Sequence, residues 1–297
     1  MRILITGAGG FLGRRLTQVL AARPDVELTL VDRFAIGHPN AMLGDLTDPD
    51  FVDDLAAQRF DSIFHLAASL TLEAEKNPTT AYQTNVEPLR RLVDRSLGSR
   101  IVFTSSIAVF GGDLPDRVDD SIRAAPTTTY GTHKAINELL LADGSRGSFI
   151  DGRALRLPIV LTRPGAPTPA VSDRVASILR EPLAGRDMVC PLTPETRLPV
   201  ASAGAVAAAL VALHDLPQEM LPTSRVINLP SLTVSVAEMI AAVERRGAKG
   251  RITVKPDWLL QGIVDGWPKQ FVSETATRLG LHADADLDAL IEDHLHG

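Results

Sequence analysis

Cysteine is almost absent: the 297 residues hold one, Cys190. No internal disulfide can form, and no Cys/His cluster has the spacing of a zinc site. Aromatic side chains are scarce as well, at 4% against 45% apolar residues overall. The core therefore has to be filled by Ala, Leu, Val and Ile, which suits layered α/β packing. Positive charge is not in excess, since 30 Lys and Arg face 36 Asp and Glu for a formal net charge of −6. Basic residues never run beyond a pair or two, so the electrostatic footprint of a nucleic-acid binder is missing. Long apolar runs are missing too. Met1–Gly7 is broken by glycines too early for a secretory h-region, and Ala201–Leu213 falls short of the roughly 20 residues a bilayer requires. These absences predict a protein of the reducing cytoplasm with neither nucleic acid nor membrane as partner, large enough for one big domain or two lobes.

Against that background, short aliphatic runs at Arg2–Ile5, Glu27–Val31, Ser62–Leu66, Arg100–Thr104 and Gly152–Leu157 predict strands. Helix-length segments lie between them at Gly13–Ala22, Pro49–Gln58, Pro78–Leu97 and Thr129–Leu141. Strands alternating with helices and apolar on both faces predict an α/β, doubly wound parallel sheet of the Rossmann kind. After Leu157 prolines and glycines crowd the chain through Pro199, with a helical stretch at Ser172–Arg180. Helices at Ala201–Leu213 and Val236–Arg246, the latter capped by Ser235, strands at Arg225–Leu229 and Arg251–Lys255, and helical spacing over Phe271–His294 follow. We expect a Rossmann domain over residues 1–157, to which 201–230 returns, and a smaller, interleaved C-terminal substrate lobe over 158–200 and 231–297.

Gly7-Ala8-Gly9-Gly10-Phe11-Leu12-Gly13 stands directly between the first strand and the first helix. Glycines there allow a tight turn and close approach of a pyrophosphate to the helix N-terminus, and Gly13 permits close helix–sheet packing. A glycine turn alone can be only a turn, but Asp32 supports it. It ends the second strand, where a carboxylate accepts hydrogen bonds from ribose hydroxyls and repels a 2′-phosphate, so NAD is expected over NADP despite the adjacent Arg33. Asp45-Leu46 offers one polar and one apolar group to the adenine.

Tyr130-Gly131-Thr132-His133-Lys134 sets a phenol and an ammonium four residues apart, on one helical face. Free tyrosine, with a pKa near 10, is a poor base at neutral pH; a lysine cation and a positive nicotinamide favour its phenolate, as acid–base catalysis requires. Two hydroxyls compete to assist it, because Ser105 and Ser106 are adjacent and point to opposite sides of a strand. His65, alone at a strand end, reads as a core hydrogen-bonding residue.

Taken in order, the glycine loop, Asp32, Asp45-Leu46, His65-Leu66-Ala67-Ala68, Asn85, Phe103-Thr104-Ser105-Ser106-Ile107-Ala108-Val109-Phe110-Gly111 and Tyr130-Gly131-Thr132-His133-Lys134 resemble the extended short-chain dehydrogenase/reductase family of NAD-dependent sugar epimerases and dehydratases. The resemblance implies that Ser106, not Ser105, hydrogen-bonds the reacting oxygen, that Tyr130 exchanges its proton, and that Lys134 holds the nicotinamide ribose and lowers the tyrosine pKa. It also implies that Leu66, Ala67, Ala68 and Asn85 belong to the cofactor site with Gly7, Gly10, Phe11, Leu12 and Gly13, and that Leu157-Pro158 flanks the carboxamide. A homodimer through the helices Pro78–Leu97 and Thr129–Leu141 is implied as well. Phe110 replaces the tyrosine common in the family.

Within the family, Pro158 stands where nucleotide-sugar enzymes often have Asn, and Ile107-Ala108 where 4,6-dehydratases carry Asp-Glu. A closer resemblance, through His65–Ala68, Glu73-Ala74-Glu75, Arg163-Pro164-Gly165, Ser172 and Arg180–Gly185, is to members that oxidise a small sugar acid at C2 to a 2-oxo acid. Such a substrate needs a cation for its carboxylate, for which Arg174 and Arg197 are candidates, and partners for its hydroxyls, for which Ser69, Thr71, Glu73, Ser106 and Ser172 are candidates. No metal is expected. A nucleotide-sugar 4-epimerase that retains NAD and a non-catalytic dinucleotide-sensing regulator are the alternatives; regulators usually lose the Tyr-Lys pair.

Overall fold

The computed structural model describes residues 1–161 and 171–296. The chain divides into two compact units: Met1–Val109 with Pro126–Arg156 and Ala207–Ile227, and Phe110–Ala125 with Leu157–Val206 and Asn228–Gly297.

The first unit is built on a seven-stranded sheet. From one edge to the other its strands are Val226–Asn228, Asp151–Leu157, Arg100–Ser106, Ser62–His65, Arg2–Thr6, Glu27–Asp32 and Ala41–Leu43. The sheet is parallel, as in a doubly wound Rossmann fold. Arg2–Thr6 lies between the second strand of the chain and the fourth, with Thr6 opposite both Val31 and His65. The strand order reverses there, and the crevice beyond the carboxyl ends of the strands is where such sheets hold ligands. Aliphatic residues fill the core as the composition requires: Leu4, Val31, Leu55, Ile63, Leu89, Leu92, Ile101 and Leu141 are completely buried, with Phe103 almost so.

The helices start and stop for local reasons. Asp48 caps Pro49–Ala57 by accepting the Asp50 and Phe51 N–H groups, with Pro49 in the first turn where no N–H is needed. The single helix expected over Pro78–Leu97 is two, Pro78–Asn85 and Glu87–Arg95. Val86 between them has φ −112°, and Pro88 lacks the N–H that would bond back across the break. The helical spacing over Phe271–His294 likewise resolves into Glu274–Arg278 and Leu287–His296. The first stops at Gly280, whose φ of +75° lets the Leu281 N–H reach the Ala276 carbonyl at 2.9 Å.

In the second unit Leu232–Ser235, Arg197–Ala201 and Ile159–Val160 form a three-stranded sheet, and Ile252–Val254 pairs with Met188–Cys190. Arg117–Val118 pairs with Gln270–Phe271, and Phe110 packs edge-on against Phe271, which ties Phe110–Ala125 to this unit. Ser235 caps Val236–Arg245 in a reciprocal capping box with Glu238, as its position in the sequence predicts. Among the described residues no helix is long and apolar enough to cross a membrane.

Candidate active site

Strand Arg2–Thr6 runs into Gly7, whose φ of +72° is a left-handed value that glycine adopts at little cost. A Cβ on Gly7 would lie 2.7 Å from the Ala67 nitrogen, so the Leu66-Ala67 backbone packs directly on the turn. A Cβ on Gly13 would overlap the Gly7 carbonyl oxygen and stand 2.7 Å from the Ala8 Cα. Gly10 donates to the Gly7 carbonyl at 3.1 Å and opens the helix Phe11–Ala21 with no side-chain cap. The positive end of that helix is thereby presented to an anion at the sheet's reversal point.

Gly9, the additional glycine of the loop, donates its N–H to Asp32 Oδ2 at 2.9 Å, and a Cβ there would press on the same oxygen. Asp32 Oδ1 accepts the Phe34 N–H at 3.1 Å. Each carboxylate oxygen takes one backbone bond and retains acceptor capacity for hydroxyl groups. The Arg33 guanidinium lies over the Phe34 ring, 5.0 Å from its centroid. Cradle, helix end and strand-end carboxylate together fit a dinucleotide. Asp45 is exposed and accepts both the N–H and the hydroxyl of Thr47 at 2.9 Å, whereas Leu46 packs against the core.

Strand Arg100–Ser106 passes into a short turn, Ile107–Val109, and Ser106 Oγ accepts the Ala108 N–H at 3.1 Å. The two serines diverge. Ser105 is buried and donates to Glu138 Oε1 at 2.5 Å, while Ser106 is half-buried and hydrogen-bonded to the Tyr130 phenol. The helix Thr129–Arg146 begins at Thr128, whose Oγ1 accepts the Gly131 N–H at 3.0 Å, and the Glu75 carboxylate accepts the Thr129 N–H at 2.6 Å. Lys134, one turn past Tyr130, is 2% exposed and donates from Nζ to the Thr104 carbonyl at 2.6 Å. Its nitrogen lies 4.4 Å from the Phe103 ring centroid and 5.4 Å from that of Tyr130.

Burial pushes the Tyr130 phenol above its ordinary value, with the Ser106 hydrogen bond opposing. Burial also brings the Lys134 ammonium down to about 7, with the Glu138 charge opposing. In the protein's own groups burial therefore outweighs the lowering of the phenol that the sequence led us to expect from Lys134 and a bound nicotinamide. A lysine poised near neutrality, with its nitrogen turned to the Thr104 carbonyl, is a weakened cation. The protein alone thus places a neutral phenol one turn from an amine that gains and loses its proton near neutral pH. His65 is fully buried, bonded through Nδ1 to Thr6 Oγ1 at 2.8 Å, and brought down to about 3 by burial and by the Lys134 charge. It stays neutral.

Leu66, Ala67, Ala68 and Ser69 form a half-buried loop after strand Ser62–His65. Asn85 pins that loop: its Oδ1 accepts the Ser69 N–H at 2.6 Å and its Nδ2 donates to the Ser69 carbonyl at 3.0 Å. Thr71 and an exposed Glu73 follow on the short helix Thr71–Lys76. Leu157 closes the strand Asp151–Leu157 and is followed by a buried Pro158. Ser172 and an exposed Arg174 sit on the helix Val171–Leu183 of the second unit, and an exposed Arg197 opens its strand Arg197–Ala201. Arg163-Pro164-Gly165 lies outside the described residues. Among the described residues no group of three or more His, Cys, Asp or Glu could hold a metal ion. Glu75 and Glu138, which brace the helix of Tyr130, were not singled out for chemistry from the sequence; for Glu138 the signal was its place four residues after Lys134.

A phenol and a lysine one turn apart, facing a strand-end serine beside a glycine cradle, make the site of a nicotinamide-dependent oxidoreductase. Residues 3–229 match the NAD dependent epimerase/dehydratase family, and the chain belongs to that family, whose cofactor is NAD. It is 38% identical over 317 residues to D-erythronate dehydrogenase of Cupriavidus necator, covering 99% of this chain and 98% of that protein. It is 37% identical to D-erythronate dehydrogenase of Haemophilus influenzae, covering 98% of each. Among solved structures, the nucleoside-diphosphate-sugar epimerase from Agrobacterium tumefaciens is similar with a TM-score of 0.92 at 36% identity, over 100% of this chain and 94% of that one.

Proposed function

We propose that the protein oxidises the C2 hydroxyl of a small sugar acid with NAD, D-erythronate giving 2-dehydro-D-erythronate. The observation that carries this reading is the Ser106, Tyr130 and Lys134 constellation in a chain similar over nearly its whole length to two D-erythronate dehydrogenases. In the proposed step Tyr130 Oη, as the phenolate that a bound nicotinamide would favour, takes the C2 hydroxyl proton while Ser106 Oγ donates a hydrogen bond to the same oxygen. Lys134 adds positive charge beside the phenol and holds the ribose of the cofactor. NAD, when bound, supplies the acceptor for the C2 hydride and a positive ring that favours phenolate. Gly7, Gly10, Phe11, Leu12 and Gly13 would hold the pyrophosphate, Asp32 the adenosine ribose, Asp45-Leu46 the adenine edge, and Leu66, Ala67, Ala68, Asn85, Leu157 and Pro158 the remaining walls. Arg174 or Arg197 would anchor the substrate carboxylate, with Ser69, Thr71, Glu73 and Ser172 for its hydroxyls.

The reading extends to a cytoplasmic homodimer. Tyr82 and Leu139, 39% and 71% exposed on the helices Pro78–Asn85 and Thr129–Arg146, support dimerisation through those helices, which light scattering tests. Activity is tested by NADH formation at about 340 nm with D-erythronate and related four- and five-carbon aldonates. Turnover lost in Tyr130→Phe, with NAD binding kept, is the expected result. Tightly retained NAD with no NADH release would instead favour an epimerase, the activity named for the Agrobacterium structure.

A further inference from the structure

Behind Ser106, Tyr130 and Lys134 lies a buried carboxylate that the oxidation step does not use. Glu138 is one turn beyond Lys134 on the helix Thr129–Arg146, so the two side chains share a face. Three elements meet on it. Its Oε1 accepts from Ser105 Oγ at 2.5 Å and from Arg156 Nε at 2.8 Å, and its Oε2 accepts from Arg156 Nη2 at 2.7 Å. Ser105 is the neighbour of Ser106 on strand Arg100–Ser106, and Arg156 comes from the adjacent strand Asp151–Leu157. The side chains of Glu138 and Arg156 are 5% and 11% exposed.

A buried ion pair is weak evidence of stabilisation, because desolvating both charges costs about as much as their attraction returns. What sets this one apart is where it is anchored. Ser105 can turn its hydroxyl to Glu138 only while Ser106 faces the opposite side of the strand, toward Tyr130. Lys134 is tied to the same strand through the Thr104 carbonyl. We propose that Glu138 is a positioning residue, which locks the serine strand and the Tyr-Lys helix in register and sets its negative charge one helical turn from the Lys134 amine. The benefit to catalysis rests on the oxidoreductase reading above; the electrostatic relation to Lys134 does not.

The groups around Lys134 agree with this role. Tyr130, one turn before it, is held neutral by burial, and His65 on the strand Ser62–His65 is neutral with a pKa of about 3. Arg156 reaches this region through Glu138 itself. Glu138 is the charge that opposes the downward push of burial on Lys134.

The experiment is an NMR titration of the Lys134 side chain in the full chain without added cofactor; five lysines in the sequence make the assignment tractable. Wild type, Glu138→Gln and Glu138→Asp are compared. We expect Glu138→Gln to move the Lys134 midpoint down by about one pH unit and Glu138→Asp, which keeps the charge, to restore most of it. On the aldonate assay, kcat of Glu138→Gln should fall by about tenfold or more with KM changed much less, and the alkaline limb of the kcat profile should shift down with the midpoint. An unchanged Lys134 midpoint in a folded Glu138→Gln would overturn the proposal, and so would unchanged kcat. If wild type turns over no aldonate while the midpoint still shifts, the substrate reading fails and the electrostatic role of Glu138 stands. Should Glu138→Gln not fold, Arg156→Lys with Glu138 intact is the second variant. A preserved Lys134 midpoint and near-normal kcat are expected for it, and loss of either would refute the role given to Glu138.

Discussion

Replacing Gly131 by alanine sets two physical effects against each other. Gly131 is the residue after Tyr130, inside the helix Thr129–Arg146, where glycine to alanine ordinarily stabilises by about 0.5–1 kcal/mol. Here the helix runs hard against the turn that follows the serine strand: a Cβ on Gly131 would overlap the Ala108 carbonyl oxygen and lie 2.8 Å from the Ala108 carbonyl carbon. Both partners are backbone, so no side-chain rotation relieves the clash. The helix and the turn Ile107–Val109 have to separate by roughly an ångström, at an overpacking cost of about 1–3 kcal/mol. The net change is then about 0–2.5 kcal/mol of destabilisation, against the stabilisation that propensity alone would give. Ser106 is fastened to that turn through the Ala108 N–H, so the separation also pulls the Ser106 hydroxyl from the Tyr130 phenol. A misplacement of about 1 Å at a reacting pair can cost on the order of 100-fold in rate. Thermal melts and steady-state kinetics should show a lowered Tm, kcat down by about 10- to 100-fold, and NAD affinity close to wild type, because the cradle at Gly7–Gly13 is untouched. A Gly131→Ala protein that melts higher than wild type and keeps its kcat would refute this account of how the helix is seated.

Three further outcomes follow from the same structure. Asp32→Asn removes the charge that faces the ribose while keeping an acceptor for the Gly9 N–H; NAD affinity should fall about tenfold and NADP affinity should rise, measured by fluorescence titration with both cofactors. Lys134 has a folded-state pKa of about 7 against an ordinary 10.5, so between those values the unfolded chain binds more protons and stability increases with pH. Denaturant melts across that range should show the rise in wild type and its loss in Lys134→Met, which also abolishes turnover. Burial pushes the Asp151 carboxyl up, but Arg153 and Arg100 outweigh it and hold it below its ordinary value. Its contribution is present above the unfolded pKa and lost as pH falls through the lower folded one. Asp151→Asn, which strips the carboxylate from the fully buried Arg153, should cost about 3–5 kcal/mol at neutral pH by urea denaturation.

Local chemistry was legible where the chain's neighbours in sequence are its neighbours in space. The strands of the first half, the glycine loop, Asp32 at its strand end and the i, i+4 spacing of Tyr130 and Lys134 all rest on dihedral preference or periodicity within a few residues. The capping box at Ser235 belongs to the same kind. Boundaries were less legible, because a break such as that at Val86 depends on which carbonyl Pro88 leaves without a donor, and periodicity does not register it.

Tertiary structure decided the rest. Two adjacent serines are equivalent in sequence apart from family resemblance; they part because Glu138, on a helix and itself held by Arg156 of the neighbouring strand, takes the Ser105 hydroxyl. The short pairing of Arg117–Val118 with Gln270–Phe271 spans about half the chain and has no local signature. Electrostatics belong here as well. A lysine beside a tyrosine reads as a cation that lowers a phenol, but burial brings the amine to about 7 and raises the phenol, since desolvation depends on everything packed around a group and not on its neighbours in the chain. Sequence alone determined the fold class, the glycine turn and the one-turn spacing of Tyr130 and Lys134, because these rest on short-range geometry. Packing alone decided which serine faces Tyr130 and how far burial weakens the lysine cation.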